Sequence, residues 1–126
     1  MKYVTFNAGT EWTETGVHFK AVYANHSDSC AIGVLITAED KTYYVTGDTL
    51  YDEQILNALP QNIYAVFLPV NGVGNNMNMT DAKRFCERIG ALAVPLHCGL
   101  FDEKDMNDFD YENKVVPEFY KEIKLK

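Results

Sequence analysis

Residues 63–96, IYAVFLPVNGVGNNMNMTDAKRFCERIGALAVPL, carry the reading that decides the fold. Ile63–Val70 is a continuous apolar run of strand length, the pattern of a strand covered on both faces. A loop rich in Gly and Asn follows, from Asn71 to Asn78. Thr80 is then expected to cap a helix that runs to about Ile89, with Asp81 in its first turn and Gly90 just past its end. Ala91–Leu96 reads as a second buried strand. The order is strand, helix, strand.

Upstream the pattern is different. Cys30–Thr37 (CAIGVLIT) and Thr42–Thr46 (TYYVT) are strand-like runs joined by Glu39-Asp40-Lys41, which reads as an antiparallel hairpin. Before it, Val17, Phe19, Ala21 and Tyr23 alternate with His18, Lys20, Val22 and Ala24, the period of a strand with one better-buried face. Met1–Phe6 reads as a short strand followed by a polar loop with Gly9, and Asp52–Leu59 as a short helix stopped by Pro60. In the tail, Val115–Lys124 is expected to be a helix with Pro117 near its start. No repeat or linker marks a boundary, so residues 1–126 are expected to form one domain. The class is mixed α/β (α+β), with helices packed on a sheet.

Composition narrows the partners. The chain has 126 residues, is 47% hydrophobic and 23% charged, and carries a net charge of −7. Nucleic acid and anionic membrane surfaces both require a basic footprint, so neither is expected as a partner. Eight Tyr and seven Phe argue against disorder. No apolar run has spanning length. Three cysteines, Cys30, Cys86 and Cys98, form no Cys-x-x-Cys pair and read as free thiols, with Cys30 and Cys86 in the core. That usage fits a reducing cytoplasm.

Three stretches end an apolar strand with a residue able to bind metal: AVYANHSD (Ala21–Asp28), YVTGDT (Tyr44–Thr49) and VPLHCG (Val94–Gly99). Strand ends converge on one rim of a sheet, where mixed α/β proteins place their sites. Two imidazoles and a carboxylate suit zinc, manganese or iron. Each stretch also has a plainer reading. A histidine at a strand end is often a hydrogen-bonded structural group, and Gly-Asp-Thr is also a turn in which Asp satisfies backbone donors. The loop Asn71–Asn78 lacks the Gly spacing and Lys of a phosphate-binding loop. The acidic run Asp102–Asp110 lacks the ligand order of a calcium loop and reads as a solvated turn.

Taken in order, these stretches resemble the second half of a metallo-β-lactamase-fold hydrolase, and specifically the ascorbate-6-phosphate lactonase-like branch. AIGVLITAEDKTYYVTGDTLYDE resembles the segment ending in that branch's Gly-Asp-Thr metal turn. FLPVNGVGNNMNMTDAKRF resembles its strand, Asn-Gly loop, Asn-Met-Asn signature and helix, and VPLHCGLF its final Pro-x-His-x-Gly element. The resemblance covers about Phe6 to Asp102. It implies half of an αββα sandwich, one mixed sheet with helices on its outer face. It also implies that His26 binds a first metal, that Asp48 bridges two metals, and that His97 binds the second, with Asn71 and Gly72 on the substrate side. Zinc or manganese is the implied cofactor. The implied reaction is hydrolysis of a lactone, ester or phosphoester in a small anionic metabolite by metal-activated water.

The family's His-x-His-x-Asp-His motif has no counterpart among the three histidines His18, His26 and His97. Three of the family's seven ligand positions are therefore matched, and the chain by itself is expected to be inactive or incomplete. Cys98 follows His97, where the branch commonly has an aromatic. It is an accessory ligand or redox-sensitive group on one reading, and a core thiol on the other. His18, alternating with apolar residues, reads as structural. A lone second half leaves an inner sheet face bare, so a homo-oligomer, or a separate chain supplying the missing half, is the expected partner. The alternative function is a non-catalytic dimerising or binding module descended from such a hydrolase.

Overall fold

The computed structural model describes residues 6–96, 106–117 and 122–125. The elements are β1 (Glu11–Glu14), β2 (Val17–Tyr23), β3 (Ile32–Ala38), β4 (Lys41–Val45), α1 (Glu53–Ala58), β5 (Ile63–Pro69), α2 (Met79–Ile89) and β6 (Leu92–Leu96), then a 3₁₀ turn at Met106–Asp108. The six strands form one sheet in chain order. β1 to β4 are an antiparallel meander, whereas β4, β5 and β6 are parallel. Parallel neighbours need crossovers, and α1 and α2 supply them. This is the mixed α/β architecture expected from the sequence.

Register sorts the side chains. Leu35, Tyr44, Val66 and Ala93 form one row across β3 to β6. The helices pack on this row: Ile55 of α1 and Ala82, Phe85 and Cys86 of α2 are buried in the same cluster. The Phe85 ring lies 6.3 Å from Tyr44 and 6.0 Å from Tyr51, the second contact edge-on. Arg88 of α2 reaches Glu53 of α1 at 2.7 Å and holds that exposed carboxyl below the usual carboxylate range. The opposite face carries two further rows, Phe19, Ile36, Tyr43, Ala65, Leu92 and Ala21, Val34, Val45, Phe67, Val94. No described helix packs there.

Several expectations need correction. The loop expected before Val17 contains a strand, β1, whose four residues are all exposed and leave no apolar alternation to signal it. It forms through a tight turn at Thr15-Gly16, both at positive φ, and a ladder placing Trp12 opposite Phe19. The α2 cap is Asn78 rather than Thr80: its backbone is extended and its side chain accepts from the Asp81 N–H at 2.8 Å. Gly90 closes α2 in the left-handed conformation as expected. The tail helix is absent from Val115–Pro117 and from residues 122–125. Lys114 instead bridges Ala93 in parallel, and the Val115 N–H donates to the Ala93 carbonyl at 2.9 Å, extending the sheet's pairing past β6. The strand expected at Met1–Phe6 lies outside the described residues but for Phe6, which is in no strand. Among the described residues no helix is long and apolar enough to cross a membrane.

Cys30 is also corrected: it lies in an exposed turn before β3, not in the strand's core. Cys86 is buried on α2, and burial pushes its thiol up to about 12. Iodoacetamide at pH 8 should therefore label Cys30 within minutes and leave Cys86 unmodified until denaturant is added. Peptide mapping reads the two sites separately; equal labelling in the folded state would contradict this packing of α2.

Candidate functional site

Sheet topology explains why distant stretches meet. β3 runs against both β2 and β4, and β5 and β6 run with β4, so β2, β4, β5 and β6 all point the same way. The residues that follow each strand therefore leave from one rim. Asn25 and His26 follow β2, Gly47 and Asp48 follow β4, and Asn71 and Gly72 follow β5. His97 follows β6 in sequence, but it and Cys98 lie outside the described residues.

Hydrogen bonds knit the first three exits together. The Asn25 N–H donates to the Thr49 hydroxyl at 2.8 Å, and the Leu50 N–H donates to the Asn25 carbonyl at 3.0 Å. The Thr49 carbonyl accepts from the Met77 N–H, whose own carbonyl accepts from Gly72, each at 3.0 Å. The Asn75 amide reaches Ser27 at 3.1 Å, so the Asn-Gly loop is tied to both other exits. Thr46 and Thr49 are fully buried and each satisfies its hydroxyl on a nearby backbone carbonyl. Asn25 also donates to Asp52, whose other oxygen caps α1. Thr49, Asn25 and Asn75 thus hold the rim. They were not singled out in the sequence, although Thr in Gly-Asp-Thr and the run of Asn residues were there to be read as turn chemistry.

The individual candidates behave differently. Asp48 is exposed in the turn after β4. The His26 Nδ1 accepts a hydrogen bond from the Asp28 N–H at 2.9 Å, which leaves the neutral ring's proton on Nε2. A metal-ligating histidine has the opposite polarity, donating one ring N–H to a neighbour and offering the other nitrogen to the ion. Among the described residues no three His, Cys, Asp or Glu side chains form a group able to hold a metal. Asn71 accepts from the Val73 N–H at 3.2 Å, a local loop bond, and Gly72 fits because a Cβ there would lie 2.9 Å from the Asn78 Cβ. His18 is on the sheet instead, with Nδ1 2.6 Å from the Thr13 hydroxyl and Nε2 3.1 Å from Glu11, the structural role expected.

No family model matches the sequence. Curated relatives do. The chain is 44% identical over 73 residues to a UPF0173 metal-dependent hydrolase of Shouchella clausii, covering 55% of this chain and 31% of that protein. It is 33% identical over 87 residues to another of Bacillus thuringiensis subsp. konkukian, covering 66% and 37%. The chain thus spans about a third of the length of the curated relatives it matches. Among solved structures it superposes on Igni18, a metallo hydrolase of Ignicoccus hospitalis, with a TM-score of 0.71 at 21% identity, covering 84% of this chain and 50% of the other. It also superposes on YhfI of Bacillus subtilis, a metallo-β-lactamase-fold protein, with a TM-score of 0.66 at 20% identity, covering 76% and 42%.

Proposed function

We propose that this chain, which spans about a third of the length of the metal-dependent hydrolases it matches and superposes on a metallo-β-lactamase-fold protein, contributes the loop rim of such a hydrolase and does not complete the reaction alone. The observation that carries this reading is the joining of three strand exits by Thr49, Asn25 and Met77, which brings the His26, Asp48 and Asn71 segments to one rim. Asp48 and His26 are the donors the rim offers to zinc or manganese, His97 is the further donor that the resemblance implies, and Asn71 and Gly72 border the substrate side. The substrate class is a lactone, ester or phosphoester of a small anionic metabolite, the metal providing the positive charge that an acidic chain lacks. The setting is the cytoplasm, where exposed Cys30 stays a thiol, and residues 1–126 act as one domain.

His26 accepts metal only once the Asp28 N–H bond is given up, at the freed Nδ1 with Nε2–H retained, or at Nε2 with the ring's proton moved to Nδ1. Affinity is therefore expected to be weak, in the micromolar range or above. Equilibrium dialysis against zinc and against manganese, read by elemental mass spectrometry, checks this. Asp48→Ala should reduce bound metal by about 10-fold or more, and His26→Ala by a similar factor. Retention unchanged in both variants would remove the rim from metal binding. The second reading, a non-catalytic binding module, is favoured by the Asp28 N–H occupying the His26 Nδ1 lone pair. It predicts no bound metal in the unmodified chain.

A further inference from the structure

We propose that Thr13, His18 and Glu11, beyond tying β1 to β2, form an acyl-transfer relay in which the Thr13 hydroxyl attacks short-chain esters. The β1–β2 ladder places Thr13 directly opposite His18 and Glu11 opposite Lys20. Strand alternation then puts all four side chains on one face of the hairpin. It is the face on which the helices pack, since Lys20 is in register with Leu35 of the helix-covered core. The tight turn at Thr15-Gly16, both at positive φ, fixes this register. The His18 Nδ1 lies 2.6 Å from the Thr13 hydroxyl oxygen, and Nε2 lies 3.1 Å from the Glu11 Oε1. An ionised carboxylate only accepts, so Nε2 carries the proton of the neutral ring and Nδ1 accepts from the Thr13 hydroxyl. Nucleophile, base and orienting carboxylate are thus joined in series, each within hydrogen-bond reach of the next.

A hollow of about 290 Å³ adjoins the relay, walled by Glu11, His18, Lys20, Leu35, Ala58 and Pro60 among others. That volume is at the small end for ligand sites, which limits the acyl group to a few carbons. Leu35, Ala58 and Pro60 give the chain an apolar wall. The Lys20 ammonium, in no ion pair among the described residues, meets the charge that develops on the carbonyl oxygen. His18 and Glu11 are 41% and 55% exposed, open to ester and to water. As the Thr13 oxygen bonds to the ester carbonyl carbon, its proton passes to Nδ1, and Glu11 stabilises the imidazolium. The bond to the leaving alcohol breaks, and Nδ1 returns the proton to that oxygen. Water, deprotonated by the same nitrogen, then cleaves the acyl-threonine and releases the carboxylic acid. Ester and water alone close the balance. His18 lies at the start of β2 and the rim beyond its end, so the relay stands independently of the proposed metal donors.

Acetylation of the full chain by p-nitrophenyl acetate in EDTA tests this. The expected result is a burst of p-nitrophenolate and a hydroxylamine-labile acetyl ester that tandem mass spectrometry maps to Thr13. The isosteric Thr13→Val, and His18→Gln, should each lower the burst about 10-fold or more while retaining the far-UV spectrum. Glu11→Gln keeps the side chain's shape and removes the charge that selects the tautomer. It should therefore lower the maximal acylation rate about threefold or more with KM unchanged. A burst that survives Thr13→Val in folded protein overturns the proposal, as does acetyl found only on lysines or on His18. An unchanged rate in Glu11→Gln removes the carboxylate and overturns the relay as assigned. Should the variants fail to fold, the wild-type map decides: a chain that carries no acetyl ester at Thr13 rejects the proposal.

Discussion

Phe85→Ala should lower the thermal midpoint by about 10–20 °C. The side chain is fully buried and its ring contacts Tyr44 of the sheet and Tyr51 ahead of α1, so it joins three parts of the fold. Truncating a buried Phe costs about 3–5 kcal/mol, because the lost transfer free energy is compounded by a cavity. In a domain of this size each kcal/mol corresponds to about 3–5 °C. Tyr44 raises the stakes, since burial pushes its phenol well above the usual range and its hydroxyl has no partner among the described residues. Phe85→Leu, retaining most of the volume, should cost about 1–2 kcal/mol. Differential scanning calorimetry of both variants checks the pair, and a shift below about 4 °C for the alanine would mean that this ring does not dock α2.

Gly47→Val is the second large effect, and it connects stability with the rim. Gly47 has a φ of +66°, and a Cβ there would sit 2.5 Å from the Ile32 carbonyl oxygen. The obstacle is backbone of β3, which cannot rotate away as a side-chain tip can. Left-handed strain of about 1–2 kcal/mol and the clash act together, for an expected total of about 3 kcal/mol. The turn must shift, and Asp48 shifts with it. Gly47→Val should therefore lower the midpoint by roughly 10 °C and lose metal to the same extent as Asp48→Ala. Gly74→Ala is the matched control: its φ is +63° but nothing lies within 4 Å of the added Cβ, so only the strain of about 1 kcal/mol remains. Calorimetry and metal analysis on the three proteins separate the effects. Normal metal retention in a destabilised Gly47→Val would show that the turn does not position Asp48.

Some elements were legible because local chemistry and final packing agree. Ile63–Pro69 and Leu92–Leu96 are covered strands whose unbroken apolar runs allow few other placements. Gly90 ends α2 because glycine alone adopts that left-handed cap without cost. Other elements depend on partners distant in the chain. β1 is a strand only because β2 offers it a ladder, and the segment around Val115 is extended only because the edge of β6 supplies the Ala93 carbonyl. Propensity in a short window contains neither partner. The α2 cap moved from Thr80 to Asn78 for a similar reason, since the loop bond from Gly72 to Met77 sets where the chain turns into the helix.

The site divides along the same line. His26, Asp48 and Asn71 could be placed after strand ends from residue order, because strand period and turn residues are local properties. That these ends share one rim follows from strand direction, which only the assembled ladders define. The protonation of His26 is decided more finely still, by one N–H from Asp28 that fixes which ring nitrogen holds the hydrogen. Sequence alone thus determined the mixed α/β class, the covered strands and the residue types at the rim. Tertiary structure decided which residues meet and which face of the sheet the described helices cover, because these depend on contacts between segments far apart in the chain.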